Sequence, residues 1–162
     1  MELYLLQHGL ALPAEEDPEQ PLAKEGVAQI QAAGRVLQRL GVRPGLIACS
    51  PKKRARQSAA LIAEAVNFPY SDILESELLL PLTPPQETLR LLRRHSESGA
   101  LLLAGHLPSL AEIASLLLGN GCRVRIHFEN GGLVRLDLPE VAALQAELRY
   151  SLTSAQIRLI AD

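Results

Sequence analysis

The chain has 162 residues, 48% hydrophobic and 21% charged, and a chain of that length buries roughly two-thirds of its unfolded surface without staples. Disordered, collagen-like and low-complexity proteins are excluded by that balance. Sixteen basic residues against eighteen acidic ones give a formal net charge of -2, and there is no Trp. A general nucleic-acid binder, which needs a basic excess or aromatic platforms, is excluded too.

Two cysteines, Cys49 and Cys122, stand far apart and outside any C-x-x-C spacing. This argues against a disulfide scaffold or a thiolate metal site and fits a reducing compartment. No apolar run approaches the roughly 18 residues of a membrane span. Met1 to Leu6 lacks the positive flank of a signal peptide. The expectation is one cytoplasmic domain over residues 1–162, with neither membrane nor nucleic acid as a partner.

In chain order, Leu3 to Leu6 is a compact apolar run suited to a strand buried on both faces. After a polar loop from Pro13 to Gln20, Leu22 to Leu40 places Val27, Ile30, Ala33, Val36, Leu37 and Leu40 at three- and four-residue steps. That is an amphipathic helix, stopped by Gly41 and Pro44. Leu46 to Cys49 predicts a second strand, and Ser50-Pro51 reads as the cap and first residue of a helix to about Val66. A short strand fits within Asp72 to Leu82, and Pro84-Pro85 opens a helix to about Arg94. Ala100 to Ala104 predicts the third buried strand, and Pro108 starts a helix ending near Gly119. Arg123 to Leu138, interrupted at Gly131-Gly132, and Ala146 to Leu152 read as strands. Strands alternating with helices predict an α/β fold, a mostly parallel central sheet with helices on both faces.

Ligands of such sheets bind at the carboxyl ends of the strands. The first predicted strand ends in Gln7-His8-Gly9, the second in Ser50 with Lys52, Lys53, Arg54 and Arg56 beyond it, and the third in Gly105-His106. Histidine serves as nucleophile or acid–base near neutral pH. Arginine offers a planar fork for phosphate, and the helix after Pro51 adds positive potential from its free N–H groups. Taken singly, a histidine at a strand end is usually structural and a basic run is usually a solvated helix face. Their coincidence at three strand ends describes a phosphoryl-transfer site. G-x-S-x-G is absent, so Ser50 reads as a cap and not as a nucleophile.

Leu5-Leu6-Gln7-His8-Gly9 resembles the R-H-G signature of the histidine phosphatase (phosphoglycerate mutase-like) superfamily. Ser50 to Ala59 is similar to its S-P-x-x-R-A-x-Q-T-A block, Leu103 to Pro108 to V-G-H-x-P, and Phe128 to Leu138 to F-x-x-G-G-x-x-x-L. The four occur in the family's order. The short chain resembles the compact SixA-type phosphohistidine phosphatases. The resemblance implies a three-layer α/β/α sandwich and a metal-independent phosphatase without cofactors. It implies that His8 forms a transient phosphohistidine, while Arg54 and a protonated His106 bind the phosphoryl oxygens. The implied substrate is a phosphorylated protein, such as a histidine-phosphotransfer domain, or a small phosphate ester.

Gln7 stands where the family carries arginine, so the phosphate-binding set becomes Gln7, Arg54 and His106. This opens a second reading, a catalytically weakened member that binds phosphate or a phosphorylated protein. Lys52, Lys53 and Arg56 are candidates to replace the lost charge. Glu75 and Glu77 lie where larger relatives carry a leaving-group acid, but their local match is poor. A departing imidazole, with a pKa of roughly 6.5, needs such an acid less than an alkoxide does. His95 at a polar helix end and His127 in an expected edge strand lack metal-ligand spacing. Cys49 reads as core and Cys122 as exposed.

Overall fold

A computed structural model describes residues 1–140 and 145–162. Its elements run β1 (Glu2–Gln7), α1 (Lys24–Arg39), β2 (Leu46–Cys49), α2 (Lys53–Val66), β3 (Leu74–Glu75), α3 (Pro85–Arg94), β4 (Ala100–Gly105), α4 (Ser109–Gly119), β5 (Leu133–Glu140), β6 (Gln145–Leu152) and α5 (Ser154–Ala161). The sheet order is β3-β2-β4-β1-β5-β6. The first four strands of that order are parallel, and β5 and β6 are antiparallel.

The alternation of side chains along each strand builds the three layers. Tyr4, Leu6, Ile47, Cys49, Leu102 and Ala104 pack with α1, α2 and α5 on one face. Leu3, Leu5, Leu46, Ala48, Leu101 and Leu103 pack with α3 and α4 on the other. Burial on both faces explains why these strands read as unbroken apolar runs. The predicted α/β/α sandwich is the fold observed. Cys49 is buried in it and Cys122 is exposed. No helix among the described residues is long and apolar enough to cross a membrane.

Four local expectations need correction. Helix α1 starts at Lys24 and not at Leu22, because Leu22 pairs with Ala11 in an antiparallel bridge and gives its N–H to Gln57 Oε1 at 2.7 Å. Ser50-Pro51 is not the cap and first residue of α2. That helix begins at Lys53 with Lys52 at the cap position, and the Ser50 hydroxyl is engaged with His106 instead. Residues 123–128 form no strand, and His127 lies in a loop. Their period-two pattern is one-sided burial against α4: Ile126 and Phe128 join the core there, and Val124 N–H bonds Ser115 Oγ at 3.0 Å. Finally, α5 was not expected. It opens with a capping box between Thr153 and Gln156, whose T-x-x-Q spacing is a helix-start signal in the sequence.

Candidate active site

Parallel pairing levels three strand ends. Gln7 sits opposite Gly105 and Cys49 opposite Ala104. His8 N–H to Gly105 O and Ser50 N–H to Ala104 O, both at 3.1 Å, carry the ladder one residue further. His8, Ser50 and His106 therefore emerge together at the carboxyl edge, and the first turn of α2 supplies Arg54.

The two nitrogens of His8 are differentiated. Nδ1 lies 2.7 Å from Gly9 O, and a carbonyl only accepts, so Nδ1 carries the proton. Nε2 keeps its lone pair and accepts from Arg54 Nε at 3.1 Å. The backbone beneath is tightly fixed. Ser58 Oγ accepts from Gly9 N–H at 3.2 Å and donates to Arg54 O at 2.7 Å, tying the His8 loop to the turn that carries Arg54. Asn130 Nδ2 donates to His8 O at 3.0 Å. Gly9 packs directly on α1, where a Cβ would stand 2.4 Å from Gly26 O.

His106 is 2% exposed. Its Nε2 is 2.9 Å from Ser50 Oγ, and its Nδ1 is buried without a partner. The rings of His8 and His106 stand edge to face, 4.8 Å between centroids. Burial pushes His8 down to about 4, against the opposing pull of the Gly9 carbonyl and with help from Arg54. Burial likewise drives His106 to about 3, reinforced by His8, Arg54 and Lys52. Both imidazoles are thus neutral at pH 7. Without a ligand, the charged His106 that the resemblance implies is disfavoured, because ionising it would place a further charge in a dry site beside Arg54.

Gln7 is 9% exposed and its Oε1 has no partner. Two of the three candidate replacements for its charge are occupied: Lys53 pairs with Glu19 at 2.5 Å and Arg56 with Glu75 at 3.7 Å. Lys52 is exposed at the start of α2. Arg54, by contrast, gives its Nη1 to a neutral acceptor, Gln20 Oε1, at 3.2 Å. Glu75 and Glu77 are exposed, and neither hydrogen-bonds His8, Arg54 or His106. Among the described residues no cluster of three His, Cys, Asp or Glu side chains could hold a metal ion.

Gln20 and Asn130 were not anticipated as part of the site. Gln20 sits in a polar loop with φ +48°, and Asn130 precedes the Gly131 turn. Only turn composition hints at either, since both arrive through tertiary contacts.

The family model for the histidine phosphatase superfamily (branch 1) matches residues 3–78, which include His8 and Arg54. An uncharacterized protein of Picosynechococcus sp. is 30% identical over 141 residues, covering 84% of each chain. The chain belongs to the histidine phosphatase superfamily. Among solved structures, it is similar to the protein histidine phosphatase SixA complexed with tungstate, at TM-score 0.84 and 21% identity, over 96% of this chain and 98% of that one. It also resembles the alpha-ribazole phosphatase of Shigella flexneri, at TM-score 0.72 and 19% identity over 95% and 97%. A mycobacterial glucosyl-3-phosphoglycerate phosphatase complexed with VO3 matches at TM-score 0.74 and 14% identity over 92% and 97%. These likenesses carry the phosphoglycerate mutase-like fold.

Proposed function

We propose that the protein is a metal-independent phosphatase in which His8 is the nucleophile and Arg54 and His106 bind the phosphoryl group. The observation that carries this reading is the state of His8: its proton is held on Nδ1 by Gly9 O, and its free Nε2 lies against Arg54. In the reaction, Nε2 attacks phosphorus in line and the bond to the leaving group breaks. Arg54 moves from Nε2 onto the phosphoryl oxygens, where its fork stabilises the charge spread over them. Water then attacks the phosphohistidine, releasing inorganic phosphate and the neutral imidazole. Tungstate and VO3 in two of the similar structures support an oxyanion site of this kind.

A phosphorylated protein, and phosphohistidine in particular, is the favoured substrate. His8 is half-buried rather than enclosed, and Leu10 and Leu107, beside the two histidines, are 42% and 39% exposed. Such a rim admits a macromolecule. Gln7 favours a second reading, a phosphate-binding module with weak turnover, because it leaves the site without a second fixed charge.

The test is phosphate release from a phosphohistidine-bearing protein and from an aryl phosphate, without metal, by wild type, His8→Ala and Gln7→Arg. Turnover by wild type that His8→Ala abolishes is expected. Full activity in His8→Ala overturns the enzyme reading, and a silent wild type awakened by Gln7→Arg moves the binding module ahead.

A further inference from the structure

We infer that this site takes its phosphoryl group as the monoanion, and that the proton which leaves with the departing group is brought by the substrate and not given by a carboxylic acid of the protein. The inference rests on the His8 reading above and concerns the ionisation state the pocket selects.

The charges and orphans of the site support it. Among the described residues, Arg54 is the one cation that hydrogen-bonds His8. Lys53 and Arg56 are held by carboxylates, and Lys52 is exposed to water. A monoanion balances Arg54, whereas the second charge of a dianion would have against it only Lys52, which acts on His106 but is itself exposed to water. The remaining partners are neutral. Ser50 Oγ accepts the Lys52 N–H at 3.4 Å and stands 2.9 Å from His106 Nε2; in the tautomer in which its hydroxyl donates to Nε2, Nδ1–H is the donor left for a ligand. Gln7 Oε1 can only accept, and it is buried without a donor. A P–OH group satisfies that oxygen and a P–O oxygen satisfies His106 Nδ1–H. With the Gln7 amide in this orientation, a dianion serves only the second.

Three acids on the segments around the site, Glu19, Glu75 and Glu129, have partners of their own, and Glu77 and Glu112 are exposed with no bond to His8, Arg54 or His106. Glu19 holds Lys53 and Glu75 faces Arg56. Glu129 receives Ser154 N–H at 2.7 Å and lies 3.4 Å from His127. The monoanion supplies the missing proton. As the bond from His8 Nε2 to phosphorus forms, the bond to the leaving nitrogen or oxygen breaks, its electron pair stays on that atom, and the substrate's proton moves there.

The experiment is kcat/KM against pH from 5 to 9 on an aryl phosphate, with inorganic phosphate binding measured by calorimetry over the same range. Monoesters lose their second proton near about pH 6, so kcat/KM is expected to fall about tenfold per unit above it. A plateau or a rise above pH 7 overturns the inference. With burial holding His8 at about 4 and His106 at about 3, both are mainly neutral over this range, and Arg54 stays charged. The other charged groups around the site are Lys52, Lys53 with Glu19, Arg56 with Glu75, and His127 with Glu129. His127→Gln and Glu75→Gln should keep the falling limb, and its loss in either variant assigns the limb to the protein and overturns the inference. Gln7→Arg should raise the ratio of kcat/KM at pH 8 to that at pH 5 at least tenfold, and an unchanged ratio overturns it. Phosphate binding should weaken with rising pH in wild type and in His8→Ala alike, and binding that is flat, tightens or is absent at pH 5 counts against it. Because the calorimetry needs no turnover, failure of the phosphatase reading and failure of monoanion selection are separable.

Discussion

Two arginines at opposite ends of the sheet show what separates a structural cation from one kept for a ligand. Arg135 on β5 donates to Glu2 Oε1 at 2.8 Å and Asp137 Oδ1 at 3.0 Å, and lies over the Tyr4 ring at 5.7 Å. Its charge is spent within the fold. Nearby, burial and the Glu2 carboxylate push the Tyr4 phenol well above its ordinary value, so it stays a neutral donor. Arg54, at the carboxyl edge, bonds only neutral acceptors among the described residues, His8 Nε2 and Gln20 Oε1. It is positioned without being neutralised, so its charge remains available to an anion.

The largest effect that would sharpen this contrast is in His8→Ala, expected to lower turnover by about a thousandfold or more, as loss of a nucleophile does; a stopped assay of phosphate release reads it. Arg54→Ala should cost about a hundredfold to a thousandfold in kcat/KM. Arg135→Ala should leave kcat/KM unchanged and lower stability by about 1 kcal/mol in a urea melt, because its ion pairs are partly solvated. Equal kinetic losses in the two arginine variants would break the comparison.

Acid should act on the carboxyl edge in two ways. The unfolded histidine titrates near 6.5 and His8 in the fold at about 4, so between these values the unfolded chain binds more protons. The stability linked to His8 is full above about 6.5 and is lost as pH falls toward 4, which melts at stepped pH values would follow. Protonation of Nε2 in the folded site then removes the nucleophile below about 4. The smallest effect is expected from Asn130→Ala, which removes the bond to the His8 carbonyl and a longer contact, 3.4 Å, with His8 Nδ1. A loss of about 1 kcal/mol of stability and a few-fold slower turnover would fit.

The layers and three strand ends were legible because burial on both faces leaves unbroken apolar runs, and because parallel pairing sends residues that follow such runs to one edge. His8, Arg54 and His106 could be placed on that logic. The protonation state of His106 could not, since it depends on desolvation and on the positions of His8, Arg54 and Lys52 in space. Gln20 and Asn130 reach the site from loops whose sequence shows only turn chemistry. Residues 123–128 alternate like a strand because burial against a helix, like burial in a sheet, leaves one face dry. The C-terminal helix was legible at Thr153–Gln156 but short, and its apolar positions merge with the preceding strand.

The contact between Gly9 and Gly26 has a consequence for engineering. A Cβ on Gly26 would fall 2.0 Å from Leu10 O, so both positions press backbone on backbone. In a library randomised at residues 9 and 26, selection for folded protein should return glycine at both. Gly41 has φ +68° and open space around its missing Cβ, so backbone strain is the only cost there. Recombination that exchanges the His8 loop and the start of α1 should therefore move them as one block, because each has been cut to the other's profile.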